Sequence, residues 1–224
     1  MARRALIVGI NTYDGDNDLQ ACVADAEAMA KILAHHKDGE KNFDCQVWPD
    51  HTDDCALITR PKLRAALNKL FNFDGDVLLY FSGHGFLSDT GGLLCTSDAE
   101  ENDWGIPMEE VVGLALKSPA RGMLLILDCC HSGDFANPAT MNRGAGTSPL
   151  ATLRENMTVI AASRAKEVAI EAGDHGLFTG ALLDALEGGA ADHMGFVTAP
   201  ALYLYVSRRF SALDQRPVYK TNAT

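Results

Sequence analysis

"LLILDCCHSGDF" occupies residues 124–135. It opens as an unbroken aliphatic run and closes on an aspartate, two adjacent cysteines, a histidine and a Ser-Gly turn. A short continuous apolar run of this kind predicts a strand covered on both faces, as strands are inside parallel sheets. Its polar end would then emerge at the carboxyl edge of the sheet, where loops and helix N-termini converge and ligands collect. One stretch therefore speaks to both the fold and the place of the chemistry.

Outward from it, "DVLLYFSGHG" at 76–85, "RALIVGI" at 4–10 and "MTVIAAS" at 157–163 read as further buried strands, and "FDCQVWP" at 43–49 as a shorter one. Between them the apolar spacing turns helical. From Asp18 to His36 the residues Leu19, Cys22, Val23, Ala26, Met29, Ala30 and Leu33 recur at three and four, with Asp16 or Asn17 as candidate caps. Residues 59–71 carry Pro61 in a first helical turn, and Glu109 and Glu110 suit the positive end of a helix over 106–116. Two more helices are predicted at 176–188 and 198–210, the second capped by Thr198 with Pro200 in its first turn. Strands alternating with helices predict a three-layer α/β/α domain around a mostly parallel sheet of about six strands. The stretch "SDAEENDWG" at 97–105 reads as an acidic loop, and "QRPVYKTNAT" at the end carries no folding signal.

The chain has 224 residues, 47% of them hydrophobic, enough for one large core. Its formal net charge of −11 argues against a phosphate-backbone binder and makes basic ligands electrostatically welcome. There is no 18-residue apolar stretch, and "MARRALIVGINTYD" is too short in its apolar part and too soon charged for a signal peptide. A cytoplasmic protein without a membrane partner is expected. Six cysteines in a chain of this size, two of them neighbours, do not suggest a disulfide framework.

Two strands end in polar clusters: Ser82, Gly83, His84 and Gly85 on one, and Asp128, Cys129, Cys130, His131, Ser132 and Gly133 on the other. A thiol near a histidine gains thiolate character and becomes a nucleophile near neutral pH. Because successive strand residues point opposite ways, one of the two cysteines should pack while the other faces the crevice. A cysteine phosphatase loop would need an arginine where Phe135 stands, which excludes that chemistry. The paired spacings of a zinc site are absent, and a papain-like order would place the cysteine before the histidine.

"YFSGHG" at 80–85 and "DCCHSG" at 128–133 resemble the two signature segments of caspase-like cysteine peptidases, nearest to metacaspases and bacterial orthocaspases. His84 and Cys130 lie 46 residues apart, close to the spacing of about 50 between a caspase histidine and its cysteine. The resemblance runs from "ALIVGINTY" at 5–13 to "GLFTGALLDAL" at 176–186 and implies a caspase-like fold. It also implies His84 as general base, Cys130 as nucleophile, an oxyanion hole from the backbone N–H groups of Gly85 and Cys130, and Cys129 as a packing residue. No third catalytic residue and no cofactor is required.

The same resemblance implies an acidic pocket from Asp25, Ser82 and Asp128, and hence a peptide or protein substrate with Arg or Lys before the cut. It divides the chain into a large-subunit-like region (1–135), a processing linker (136–153) and a small-subunit-like region (154–224). Arg143 and Arg154 would suit self-cleavage. Calcium activates many metacaspases, and Asp98, Glu100, Glu101 and Asp103 offer hard oxygen ligands, although their spacing departs from that site. Two readings from other classes stand beside the peptidase: a non-catalytic caspase-like adaptor, and a thiol redox or metal switch at Cys129 and Cys130.

Overall fold

The computed structural model describes residues 2–13, 17–49, 57–89, 91–101, 103–129, 153–162, 171–172, 175–210 and 217–222. Its elements in chain order begin with β1 (Arg3–Gly9), α1 (Cys22–Ala34), β2 (Asp44–Trp48), α2 (Arg60–Phe71) and β3 (Asp76–Gly83). A small antiparallel sheet follows, made of β4 (Gly85–Ser88), β5 (Gly91–Glu100) and β6 (Asp103–Pro107). Next come α3 (Met108–Lys117), β7 (Gly122–Cys129) and β8 (Met157–Ala161). The remainder is a two-stranded ribbon of β9 (Glu171–Ala172) and β10 (His175–Gly176), then α4 (Leu177–Asp184), α5 (Ala199–Phe210) and β11 (Val218–Thr221).

The main sheet has six strands in the order β11-β8-β7-β3-β1-β2. Five are parallel neighbours, and β11 pairs with β8 antiparallel. Period-two alternation splits its side chains between two cores. Leu6, Val8, Leu79, Phe81, Leu125 and Leu127 pack on one face against Leu63, Leu67 and Val112 of α2 and α3. Ala5, Ile7, Leu78, Tyr80 and Ile126 pack on the other against Ala26, Met29, Phe178, Leu182 and Val206 of α1, α4 and α5. Burial on both faces is why these strands read as unbroken apolar runs. This is the expected three-layer α/β/α arrangement.

Three local expectations need correction. The acidic stretch 97–105 is not a loop: it forms the end of β5, a turn and the start of β6, with register shifting between Cys95 and Glu100. Pairing with a neighbouring strand overrides the weak β preference of its Asp and Glu residues. The C-terminal stretch does fold, since Val218–Thr221 adds β11 at the sheet edge. Finally, α1 starts at Cys22 rather than Asp18, with Ala21 as N-cap and no cap from its own side chain. Asn11 serves that helix end from outside: its Oδ1 accepts the N–H of Val23 at 3.2 Å while its Nδ2 donates to the carbonyl of Gln20 at 2.9 Å. Of the two expected caps, Asp16 lies outside the described residues.

Close approach of α1 to β1 depends on Gly9. A Cβ there would run into the carbonyl of Cys22. The N-terminal turns of α1 can therefore lie directly over the carboxyl end of the sheet, and Asp25 with them.

Candidate active site

The register of β3 and β7 aligns the two polar clusters: Ser82 stands opposite Asp128, and Gly83 opposite Cys129. Neighbouring strands lie about 4.8 Å apart. The next residue along one chain is His84 and along the other Cys130, which itself lies outside the described residues. Cys129 is buried among Phe81 and Leu127 on the α2/α3 face. By the same alternation Ser82 and Asp128 share the opposite face with Tyr80 and Ile126, toward α1 and α4.

His84 is held from three sides. Its backbone N–H donates to the Tyr13 hydroxyl at 2.8 Å, its carbonyl accepts the N–H of Cys95 at 3.0 Å, and its ring sits 4.6 Å from that of Tyr13. Gly83 makes this possible, because a Cβ there would come within 2.5 Å of the Tyr13 oxygen. The ring Nε2 lies 2.8 Å from the carbonyl of Asn17. A carbonyl only accepts, so Nε2 carries a proton and the neutral ring keeps Nδ1 as its basic nitrogen. Burial pushes the Tyr13 phenol well above its usual range, so that anchor stays uncharged.

Asp25, Ser82 and Asp128, the residues expected to line a pocket, lie near one another: Ser82 stands opposite Asp128, whose charge acts on Asp25. Asp25, which helical spacing alone would leave at the edge of an apolar stripe, is only 1% exposed. Its Oδ1 lies 2.8 Å from Nδ1 of His175, and both its oxygens accept the N–H of Gly176 at 3.3 Å. Burial first, and the negative charge of Asp128 second, raise the Asp25 carboxyl to about 6, against the opposing bonds from His175 and Gly176. Asp128 is buried as well, and its Oδ2 accepts the hydroxyl of Thr179 at 2.7 Å. The Thr179 proton being so used, Tyr80 donates its own to Thr179 across 2.6 Å. Burial, followed by the charges of Asp128 and Asp25, drives the Tyr80 phenol well above its usual range.

Other sequence candidates fare differently. Arg143 and His131 lie outside the described residues. Arg154 is half-buried and donates from its guanidinium to the carbonyl of Ala120 at 2.7 Å, so cleavage after it would first require that anchor to be released. In the acidic hairpin, Asp98 accepts the backbone N–H of Arg60 at 2.9 Å and Asp103 pairs with its guanidinium. No group of three or more His, Cys, Asp or Glu residues is arranged to hold a metal ion among the described residues. Cys22, Cys95 and Cys129 are buried, and burial, helped by the Asp44 carboxylate, pushes the Cys45 thiol up to about 11. None of these four has the setting of an activated nucleophile.

Sequence reasoning missed His175, Thr179, Tyr80, Tyr13 and Asn17 as site residues. "GLFTGALLDAL" was visible as a matching segment, and Thr179 lies inside it. Tyr80 and Tyr13 likewise lie inside the matching segments at 80–85 and 5–13, whereas for His175 the signal is spatial, since it meets Asp25 across 150 positions.

A parallel α/β/α sheet with a histidine and a cysteine at adjacent strand tips, over buried carboxylates, defines a caspase-like class of protein. A family model described as the caspase domain matches residues 2–224, and the chain belongs to that family of cysteine peptidases. It is 32% identical over 160 residues to Metacaspase-7 of Arabidopsis thaliana, covering 66% of this chain and 39% of that protein. Metacaspase-4 of the same plant is 30% identical over 159 residues, covering 66% and 37%. Metacaspase-1 of Mycosarcoma maydis is 29% identical over 150 residues, covering 58% and 36%. The matches thus span under two fifths of each of these relatives.

Proposed function

We propose that the protein is a cysteine endopeptidase that cuts peptide bonds after arginine or lysine through a dyad of His84 and Cys130. The pairing of Gly83 with Cys129 supports the dyad, since each proposed partner is the next residue on its chain. In the reaction, Nδ1 of His84 takes the Cys130 thiol proton as sulfur attacks the carbonyl carbon before the scissile bond. Backbone N–H groups of Gly85 and Cys130 receive the oxyanion. His84 returns the proton to the leaving amine, and water then hydrolyses the acyl-enzyme. The hydrogen bond from Nε2 to Asn17 holds the ring in the tautomer that this sequence needs.

One observation carries the specificity: Asp25 and Asp128 are both buried and near enough for the charge of Asp128 to act on Asp25, which pairs with no arginine or lysine among the described residues. Two carboxylates with that surrounding favour a guanidinium or ammonium and repel an acidic side chain. Arginine-, lysine- and aspartate-ended fluorogenic peptides test this. Turnover of the first two and not the third is expected, and preferential turnover of the aspartate peptide overturns the pocket. Cys130→Ala should abolish all turnover; activity that survives it overturns the dyad.

Self-processing within 136–153 is part of the same reading, with Arg143 the better placed candidate because Arg154 is anchored to Ala120. Mass spectrometry of the wild type incubated beside Cys130→Ala locates any cut.

A further inference from the structure

Asp25 and Asp128 both come from the part of the chain before the 136–153 segment, yet the donors that hold them come from after it. His175 and Gly176 reach Asp25, and Thr179 reaches Asp128. All three donors sit within five consecutive residues, 175–179, at the junction of β10 and α4. His175 differs from the other two in being a ring with 34% of its side chain exposed, beside a carboxylate that is 1% exposed. It is therefore the one of these three donors that reaches solvent.

We propose that His175 is a positioning residue of the pocket for the basic side chain: its Nδ1–H bond fixes the Asp25 carboxylate and favours the ionised form that the substrate's cation needs. This rests on the basic-residue reading above and assigns it a determinant outside the pocket's three acidic and hydroxyl groups. The physical reasoning is local. A buried carboxylate with a like charge nearby resists ionisation, and hydrogen bonds donated to it are what offset that resistance. The described titratable groups acting on Asp25 are Asp128 from β7 and His175 from β10, while Tyr80 from β3 feels the Asp25 charge but is itself held neutral. Only His175 among them favours the charge. Gly176 adds its two longer bonds, and a backbone N–H cannot be removed by side-chain substitution. The opposing contributions of burial and Asp128 already raise Asp25 to about 6, so loss of one donor would be felt just below neutral pH.

Binding to the full chain carrying Cys130→Ala separates this effect from the chemistry of the dyad. The dissociation constant of an arginine-ended peptide would be measured from pH 5.5 to 8, alone and with His175→Ala or His175→Asn added. If His175→Ala moves the acid limb of binding up by about one pH unit, affinity falls about fivefold at pH 6 and less than twofold at pH 8. Asparagine places an amide N–H near the position of Nδ1 and should restore the parent profile. An unchanged profile in His175→Ala overturns the proposal. So does a loss equal at every pH that asparagine fails to restore, because that is the behaviour of a merely structural residue. A parent protein that binds aspartate-ended peptide better than arginine-ended peptide overturns the basic pocket itself, and is distinguishable because it needs no His175 variant.

Discussion

Two acidic regions of the molecule, one contiguous in the sequence and one assembled by the fold, meet opposite surroundings. The hairpin of β5 and β6 carries Asp98, Glu100, Glu101 and Asp103, and the chain supplies its own partners there: the Arg60 guanidinium pairs with Asp103 and its backbone N–H donates to Asp98 at 2.9 Å, while Arg64 meets both oxygens of Glu110 nearby at 2.6 and 2.9 Å. The strand-tip pocket holds Asp25 and Asp128, and its described donors are an imidazole, a backbone N–H and a hydroxyl. Exposed carboxylates matched by internal arginines serve the fold. Buried ones held by an imidazole, a backbone N–H and a hydroxyl cost folding stability, and under the proposed function they would be kept for the cation of a substrate.

Substitutions at the two places should separate those roles, most strongly at the floor of the pocket. Asp128→Ala removes a buried charge that the substrate's cation would meet, and kcat/KM for arginine-ended peptides should drop about 100-fold or more. A loss below threefold would place the specificity elsewhere. Asp25→Asn should lower kcat/KM about tenfold and at the same time stabilise the protein. The sign follows from its raised ionisation: above pH 6 the folded chain carries a disfavoured charge, and as pH falls from about 6 toward 3.8 it takes up a proton that the unfolded chain does not. Removing the charge is thus worth up to about 3 kcal/mol at pH 7.5 and nothing below about pH 4. Thermal melts at the two pH values measure it, and an equal shift at both would break the account.

Thr179→Val removes one hydrogen bond from the Tyr80 hydroxyl and one from Asp128, for about 1–3 kcal/mol of lost stability in urea unfolding. Smallest of all is Asp103→Asn on the exposed hairpin. It should cost under about 1 kcal/mol and leave kcat/KM within twofold. Were Asp103→Asn to hurt catalysis as much as Asp25→Asn, the contrast between the two regions would fail.

How far the sequence announces all this depends on where the determining contacts lie. The central strands were legible because burial on both faces writes itself as an unbroken aliphatic run. His84, Ser82 and Asp128 were legible because each ends such a run. Asp25 was visible only through resemblance, since a lone acid on an amphipathic helix is ordinarily solvated. His175 was not legible, because nothing local to "AGDHG" reports a carboxylate on α1. The edge strand β11 was missed for a related reason. Four residues, three half-buried and one exposed, carry little periodicity, and what makes them a strand is the waiting edge of β8. The acidic hairpin was misread because composition was taken as stronger than pairing.

The segment between β7 and β8 joins two strands that are themselves side-by-side neighbours, aligned over five residue pairs from Met123 with Met157 to Leu127 with Ala161. A nick in that segment would change the covalent map without dividing the particle. Boiled in detergent the product would run as two bands, whereas gel filtration would still return one species of undiminished mass. A native measurement of size alone would not register such a cut.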